Sequence, residues 1–174
     1  MKNKGMVYVF TGEGKGKTSA ALGVGVRAAL RGMEVGMVQW YKEKRWPVGE
    51  HKIEERISNF KVYALGSGFY KLPTDHATPK EHKQAAEEAL KKAGELIDKL
   101  DVLILDEINN AVKDKLVKEE DLLRLLEKRG KTHVILTGRR AARRVLAGAD
   151  LVTECKKIKH PFDKGVKAIR GLDF

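Results

Sequence analysis

Thr11-Gly-Glu-Gly-Lys-Gly-Lys-Thr18 lies between a short apolar run, Met6–Phe10, and an alanine-rich segment, Lys17–Leu30. Gly12, Gly14 and Gly16 free the backbone to wrap an anion with its N–H groups pointing inward, and a helix starting at the loop's end adds its positive N-terminus. Lys17 has the reach to touch the distal phosphates of a nucleotide, and Thr18 offers a hydroxyl to Mg²⁺. Glu13 and Lys15 fill the remaining positions. The usual pattern has glycine or alanine where this chain has Thr11, so the strict consensus is missed at one position. A strand before and a helix after are the context that a phosphate-binding loop requires.

Outward from the loop, apolar runs of strand length alternate with segments of helical period, which is how parallel α/β chains are written. The runs are Met6–Phe10, Val35–Trp40, Phe60–Leu65, Val102–Leu105, His133–Thr137 and Leu151–Glu154. Val102-Leu-Ile-Leu105 is continuously apolar, as a strand covered on both faces should be. Lys17–Leu30 predicts a helix stopping at Gly32, a left-handed cap. Pro79–Leu100 predicts another, with Thr78 as N-cap, Pro79 in the first turn and Glu81 close behind. Its Ala85, Ala86, Ala89, Leu90, Ala93, Leu96, Ile97 and Leu100 recur at helical spacing. Further helices are expected at Glu119–Lys128 and Ala141–Leu146. No repeat, low-complexity tract or linker divides the chain, so one nucleotide-binding domain over residues 1–174 is expected. The expected fold is α/β, a mainly parallel sheet of about six strands flanked by helices, in the P-loop NTPase (RecA-like) arrangement. The irregular stretches Tyr41–Gly49 and Gly66–Pro79 are the loops expected to border a ligand.

Two more strand ends carry chemistry. Val102-Leu-Ile-Leu-Asp-Glu107 delivers two carboxylates to the top of a parallel sheet, beside any phosphate in the loop. Asp106 suits direct or water-mediated Mg²⁺ binding, and Glu107 completes a metal shell or, in an ATPase, orients water. Thr137-Gly-Arg-Arg140 brings arginines to another strand end, where Arg139 braces phosphates or else stands in solvent. Loop, carboxylates and arginine define a nucleotide site but not a reaction. Phosphoryl transfer, hydrolysis and attack at the ribose all use the same cradle.

Composition narrows the setting. The 174 residues are 42% apolar, enough for a core, and no apolar run approaches the ~20 residues that cross a bilayer. Met1–Gly5 lacks the apolar stretch of a leader, so a cytoplasmic protein without a membrane partner is expected. The one cysteine, Cys155, excludes an intrachain disulfide and a multi-cysteine zinc site, and reads as a small strand residue. A net charge of +11 attracts phosphates and nucleic acids, but charged residues of both signs make up 34% of the chain. Mixed surface charge of this kind also marks heat-adapted proteins. The lysines are spread along the chain without interleaved aromatics, so nucleic acid is not an expected partner.

With these elements in order, the chain resembles the P-loop ATP:corrinoid adenosyltransferases over nearly its whole length. The family's loop is Thr-Gly-x-Gly-Lys-Gly-Lys-Thr, which makes Thr11 and Lys15 family marks. Val38-Gln-Trp-Tyr-Lys42 and Trp46-Pro-Val-Gly-Glu50 resemble its Gln-aromatic-x-Lys element and the Trp and Gly-Glu that follow. Gly66-Ser-Gly-Phe69, Leu105-Asp-Glu107, Thr137-Gly-Arg139, Lys159-His-Pro-Phe-Asp-Lys-Gly-Val-Lys-Ala168 and Gly171-Leu-Asp-Phe174 also follow the family in order. Where members carry tryptophan two residues after the loop phenylalanine, this chain has Lys71. Its loop before Trp46 is one residue longer, and only Met1–Gly5 precede the first strand, where some members carry a helical extension.

The resemblance implies transfer of the 5′-deoxyadenosyl group of ATP to a reduced cob(I) corrinoid, with triphosphate leaving as a unit. ATP is then a co-substrate and Mg²⁺ (or Mn²⁺) the cofactor. It implies that Lys15, Lys17 and Glu107 carry the catalysis, that Thr18, Asp106 and Glu107 hold the metal, and that residues 12–18 with Arg139 hold the nucleotide. Phe69 and Tyr70 would press on the corrin face. A homodimer and an electron donor such as a flavoprotein are further implied partners. The competing readings are a P-loop ATPase or phosphotransferase with another acceptor, where Glu107 activates water or a hydroxyl, and a nucleic-acid motor subunit.

Overall fold

A computed structural model describes residues 4–173. Met1, Lys2, Asn3 and Phe174 lie outside the described residues, and with them part of the leader reading and the last residue of the family-like tail. Strands β1 (Val7–Thr11), β2 (Val35–Gln39), β3 (Phe60–Ala64), β4 (Val102–Asp106), β5 (His133–Thr137) and β6 (Leu151–Glu154) form one sheet. Its order is β3-β2-β4-β5-β1-β6 and every pairing is parallel. Helices α1 (Lys17–Leu30), α2 (Pro79–Leu96), α3 (Ile108–Lys113), α4 (Glu119–Glu127) and α5 (Arg143–Ala147) occupy the connections. One strand, β5, separates the loop strand β1 from the carboxylate strand β4. This is the RecA-like P-loop arrangement that the sequence pattern predicts.

Successive strand residues point to opposite faces, and the core divides accordingly. Leu103 and Leu105 of β4 join one apolar layer, with Val134 and Leu136 of β5. Val102 and Ile104 join the other, with Ile135 of β5 and Met37 of β2. Alanines 86, 89 and 93 of α2 and the leucines of α4 close the first layer. Leu122, Leu125 and Leu126 are buried there, each stabilising the fold by about 1.5–3 kcal/mol. Ala21, Ala28 and Ala29 of α1 cover the second layer.

The helix ends follow local chemistry. The Thr78 hydroxyl accepts from the Glu81 N–H while the Glu81 carboxylate accepts from the Thr78 N–H, a complete capping box with Pro79 in the first turn. Gly32 takes a left-handed φ of 84° just past α1, as expected. Other boundaries differ. The first strand lies one residue later, at Val7–Thr11. Helix α2 stops at Leu96 rather than Leu100, because the chain must turn into β4. Leu100 instead packs over Gly36 of β2, and the Asp101 carboxylate accepts from the Glu34 N–H at 2.8 Å. Helix α5 begins at Arg143 rather than Ala141, since Ala142 is extended and the Ala141 N–H donates to Thr11 Oγ1 at 3.3 Å. The short α3 and the 3₁₀ turns Gly49–Glu55 and Pro161–Lys164 carry too few apolar repeats to announce themselves. β6 is an exposed edge, not a strand covered on both faces, and is kept to four residues. Among the described residues no helix is long and apolar enough to cross a membrane.

Candidate nucleotide site

The loop after β1 is bent by its glycines. Gly12 and Gly16 take left-handed φ values of 100° and 111°, a region that costs other residues strain. A Cβ on Gly12 would stand 2.6 Å from the Cys155 carbonyl oxygen. The close approach is used: the Gly14 N–H donates to that carbonyl at 2.7 Å, and the Cys155 N–H donates to Thr11 O at 2.7 Å. Cys155 therefore acts through its backbone, one residue beyond β6, and its thiol is free.

Lys17 is buried and its ammonium donates to the Gly14 carbonyl at 2.6 Å, curled back over the loop. Burial pulls it below the ordinary lysine pKa, against the opposing charge of Glu107. The Thr18 hydroxyl donates to Asp106 Oδ1 at 2.8 Å. Its proton is thus committed, and its oxygen keeps lone pairs for a cation. Thr137, at the end of the interposed β5, donates to the same oxygen at 2.7 Å and accepts from the Glu107 N–H at 2.8 Å.

Asp106 is fully buried, with Gln39 Nε2 on its Oδ2 at 3.1 Å. Glu107 adopts a left-handed φ of 64°, a strained conformation for a residue with a Cβ. Its Oε2 is buried without a hydrogen-bond partner. Desolvation, reinforced by the adjacent Asp106, raises the carboxyl to about 7, with Lys17, Lys42 and Arg139 pulling the other way.

An orphaned buried carboxylate oxygen beside a hydroxyl oxygen and a second carboxylate is an all-oxygen donor set suited to Mg²⁺. Asp106, with both oxygens already hydrogen-bonded, fits an outer role, orienting Thr18. Among the described residues no group of three His, Cys, Asp or Glu side chains forms a self-sufficient metal cage. A cation here would need phosphate or water oxygens as well.

A cavity of about 540 Å³ joins most of the expected site, lined by Glu13, Gly14, Lys15, Gly16, Lys17, Thr18, Glu107 and Arg139. Gly12 shapes the loop from behind. Glu13 and Arg139 pair across the rim at 3.3 Å, with Arg140 also on Glu13. Lys15 pairs with Asp173 and donates to the Leu172 carbonyl at 3.3 Å.

Phe69 and Tyr70 do not line this cavity. Phe69, 40% exposed, stacks on Tyr41 with centroids 6.2 Å apart and leans on Trp46 at 5.3 Å. Tyr70 turns away, edge-on to His82 at 5.0 Å. Asp75 ties their loop down, accepting from the Lys71 N–H at 2.7 Å and contacting His82 Nε2 at 2.7 Å. The His82 hydrogen bond holds its carboxyl down at about 2.

Sequence reasoning assigned no role to Gln39, Lys42, Glu50 or His51, yet the structure sets Gln39 and Lys42 against Asp106, with Glu50 and His51 behind them. Lys42 pairs with Glu50 and lies 3.5 Å from Asp106 Oδ2. Burial depresses the Lys42 ammonium, but Asp106 and Glu50 outweigh it and raise its pKa. Glu50 is shifted down, Lys42 overcoming burial. Gln39 Nε2 bridges Asp106 and Glu50, at 3.1 and 3.3 Å, while its Oε1 meets His51 Nε2 at 2.9 Å. The available signals were position, with Gln39 ending the buried β2 and Lys42 in the loop that follows, and the family-like stretches Val38–Lys42 and Trp46–Glu50 in which Gln39, Lys42 and Glu50 stand.

Comparison with known proteins narrows the reading. The model of the family ATP:corrinoid adenosyltransferase BtuR/CobO/CobP matches residues 3–174. Corrinoid adenosyltransferase CobA of Salmonella typhimurium is 40% identical over 178 residues, covering 99% of this chain and 87% of the relative. The corrinoid adenosyltransferase of Escherichia coli K12 is 39% identical over 175 residues, covering 98% and 86%. Among solved structures, the flagellar accessory protein FlaH of Methanocaldococcus jannaschii is similar with a TM-score of 0.58 at 13% identity, over 88% of this chain and 72% of that one, a likeness of fold alone. With its loop, carboxylates and strand order in place and the match running almost end to end, the chain belongs to the ATP:corrinoid adenosyltransferase family BtuR/CobO/CobP.

Proposed function

We propose that this chain transfers the 5′-deoxyadenosyl group of ATP to the cobalt of a reduced cob(I) corrinoid and releases triphosphate, in the synthesis or salvage of cobalamin. The observation that carries this reading is the convergence of Lys17, Thr18 and Glu107 on one cavity, with Asp106 behind them, in a chain of this family.

The cobalt lone pair attacks C5′ of the ribose; the Co–C bond forms as the C5′–O5′ bond breaks, and that bond's electron pair leaves on triphosphate. The nucleophile has no proton to lose, so the site needs no general base. It must hold the leaving charge. The loop amides, Lys15, Lys17 and Arg139 are suited to that, and being fixed before the reaction they need no reorganisation during it. Mg²⁺ (or Mn²⁺) held by Thr18 and Glu107, with Asp106 orienting Thr18, would supply further neutralisation of the triphosphate. The exposed Phe69, backed by Tyr41 and Trp46, is the better placed of the two aromatic residues to meet a corrin face. Tyr70 supports its loop.

A single domain, a homodimer, a flavoprotein-like electron donor and a cytoplasmic setting, where ATP is supplied, belong to the same proposal. The test is an anaerobic assay with chemically reduced cob(I)alamin, Mg²⁺ and ATP. Light-sensitive adenosylated corrinoid and intact triphosphate should appear together, and Lys17→Ala should remove both. ADP and phosphate as the products would reject the proposal in favour of a P-loop ATPase or phosphotransferase.

A further inference from the structure

The loop covers one flank of the cavity, and each cation on that side has its own protein partner. Lys15 pairs with Asp173, Arg139 with Glu13, and Lys17 folds onto Gly14. Lys42 stands apart from them, delivered by the turn after β2. It lines the cavity together with Gly49 and Glu50. Its side chain is 18% exposed and that of Glu50 only 9%, so both charges are largely withdrawn from water, which is tolerable only in a built arrangement.

The arrangement has spare capacity. An ammonium carries three donors. Glu50 takes one, and the 3.5 Å approach to Asp106 is longer than a charge-assisted hydrogen bond. Glu50 is itself fixed by Gln39 at 3.3 Å. The chain thus holds a cation at the cavity wall with donors left over, on the β2 side of the metal carboxylates.

We propose that Lys42 is a further polyphosphate-binding residue and Glu50 its positioning residue. When the loop is filled, Lys42 gives its spare donors to phosphate oxygens on the flank that the loop amides do not reach. Glu50 keeps the ammonium from collapsing onto Asp106. The inference rests on the reading of the loop as a triphosphate site, but not on the corrinoid chemistry.

The test is calorimetric binding of inorganic tripolyphosphate, ATP and adenosine, each with Mg²⁺. Lys42→Ala should weaken tripolyphosphate and ATP roughly ten- to a hundredfold, the loss expected for one charged hydrogen-bonding group, and leave adenosine unchanged. Lys42→Arg should restore most of that loss. Glu50→Gln should weaken ATP several-fold by calorimetry and, wherever turnover is measured, raise the KM for ATP with kcat preserved. Because Lys42→Ala strands two buried carboxylates, the double variant Lys42→Met/Glu50→Gln guards against misfolding. If that double variant melts like the parent and still binds tripolyphosphate with parental affinity, the proposal is overturned. If the parent itself binds neither tripolyphosphate nor ATP, the loop reading and this inference fall together. If it binds both but makes no adenosylated corrinoid, only the transfer reaction is refuted.

Discussion

Glu107→Gln should make the metal-free protein more stable while removing its function. The Glu107 carboxyl is raised from 4.5 to about 7, chiefly by desolvation and then by Asp106. Below about pH 4.5 it is protonated in both folded and unfolded chains and costs nothing. Between about 4.5 and 7 the unfolded chain releases a proton that the folded chain retains, so stability falls as pH rises. Above about 7 the whole penalty is present. At about 1.4 kcal/mol per unit it amounts to no more than about 3.5 kcal/mol. Glutamine keeps the size and the left-handed backbone but never ionises, so its gain should be near zero at pH 4.5 and greatest at pH 8. For a domain of this length each kcal/mol moves Tm by about 2–4 °C, which puts the variant up to about 14 °C above the parent at pH 8. Thermal and urea unfolding in chelator at pH 4.5, 6 and 8 would measure it. The reasoning is refuted if the variant is no more stable than the parent at pH 8, or if the difference between them does not change with pH. Added Mg²⁺ should raise the parent's Tm and leave that of Glu107→Gln unmoved, because the unpartnered Oε2 is the atom offered to the cation.

Three other substitutions probe separate parts of the molecule. Gly12→Ala adds a Cβ 2.6 Å from the Cys155 carbonyl at a φ of 100°; it should cost about 1–3 kcal/mol and abolish ATP binding measured calorimetrically. Thr78→Ala removes half of the α2 capping box and should cost about 1 kcal/mol in urea unfolding without altering ATP affinity. Asp173→Asn frees Lys15 from a half-exposed ion pair, so tripolyphosphate should bind up to about fivefold tighter. That gain should vanish in a Lys15→Ala background, and weaker binding would instead make Asp173 a support for Lys15.

The amino-acid sequence alone determined what local spacing encodes. Three glycines between a strand and a helix point to a loop wrapped around an anion, and the continuous apolar run Val102-Leu-Ile-Leu105, set among turn signals, points to a covered strand. Thr78, Pro79 and Glu81 write a helix start into four residues, and the structure places it there. The same spacing marked Lys17, Thr18, Asp106 and Glu107 as site residues, because strand ends of a parallel sheet share one rim. Tertiary structure decided the rest. Only the strand order puts β5 between β1 and β4, so that Thr137 bridges Asp106 and the Glu107 backbone. Thr18 and Asp106 are 88 residues apart, and Lys15 and Leu172 are 157 apart; no helical or strand period reaches that far. Gln39, Lys42 and Glu50 stand in stretches that follow the family, but nothing in the linear chain gives them a role. They became part of the site because β2 pairs with β4 and brings Gln39 level with Asp106. Local sequence sets each turn, strand and cap through steric and hydrogen-bonding rules that act within a few residues. Which side chains share a cavity follows from how the sheet orders its strands, and that depends on the whole core packing at once.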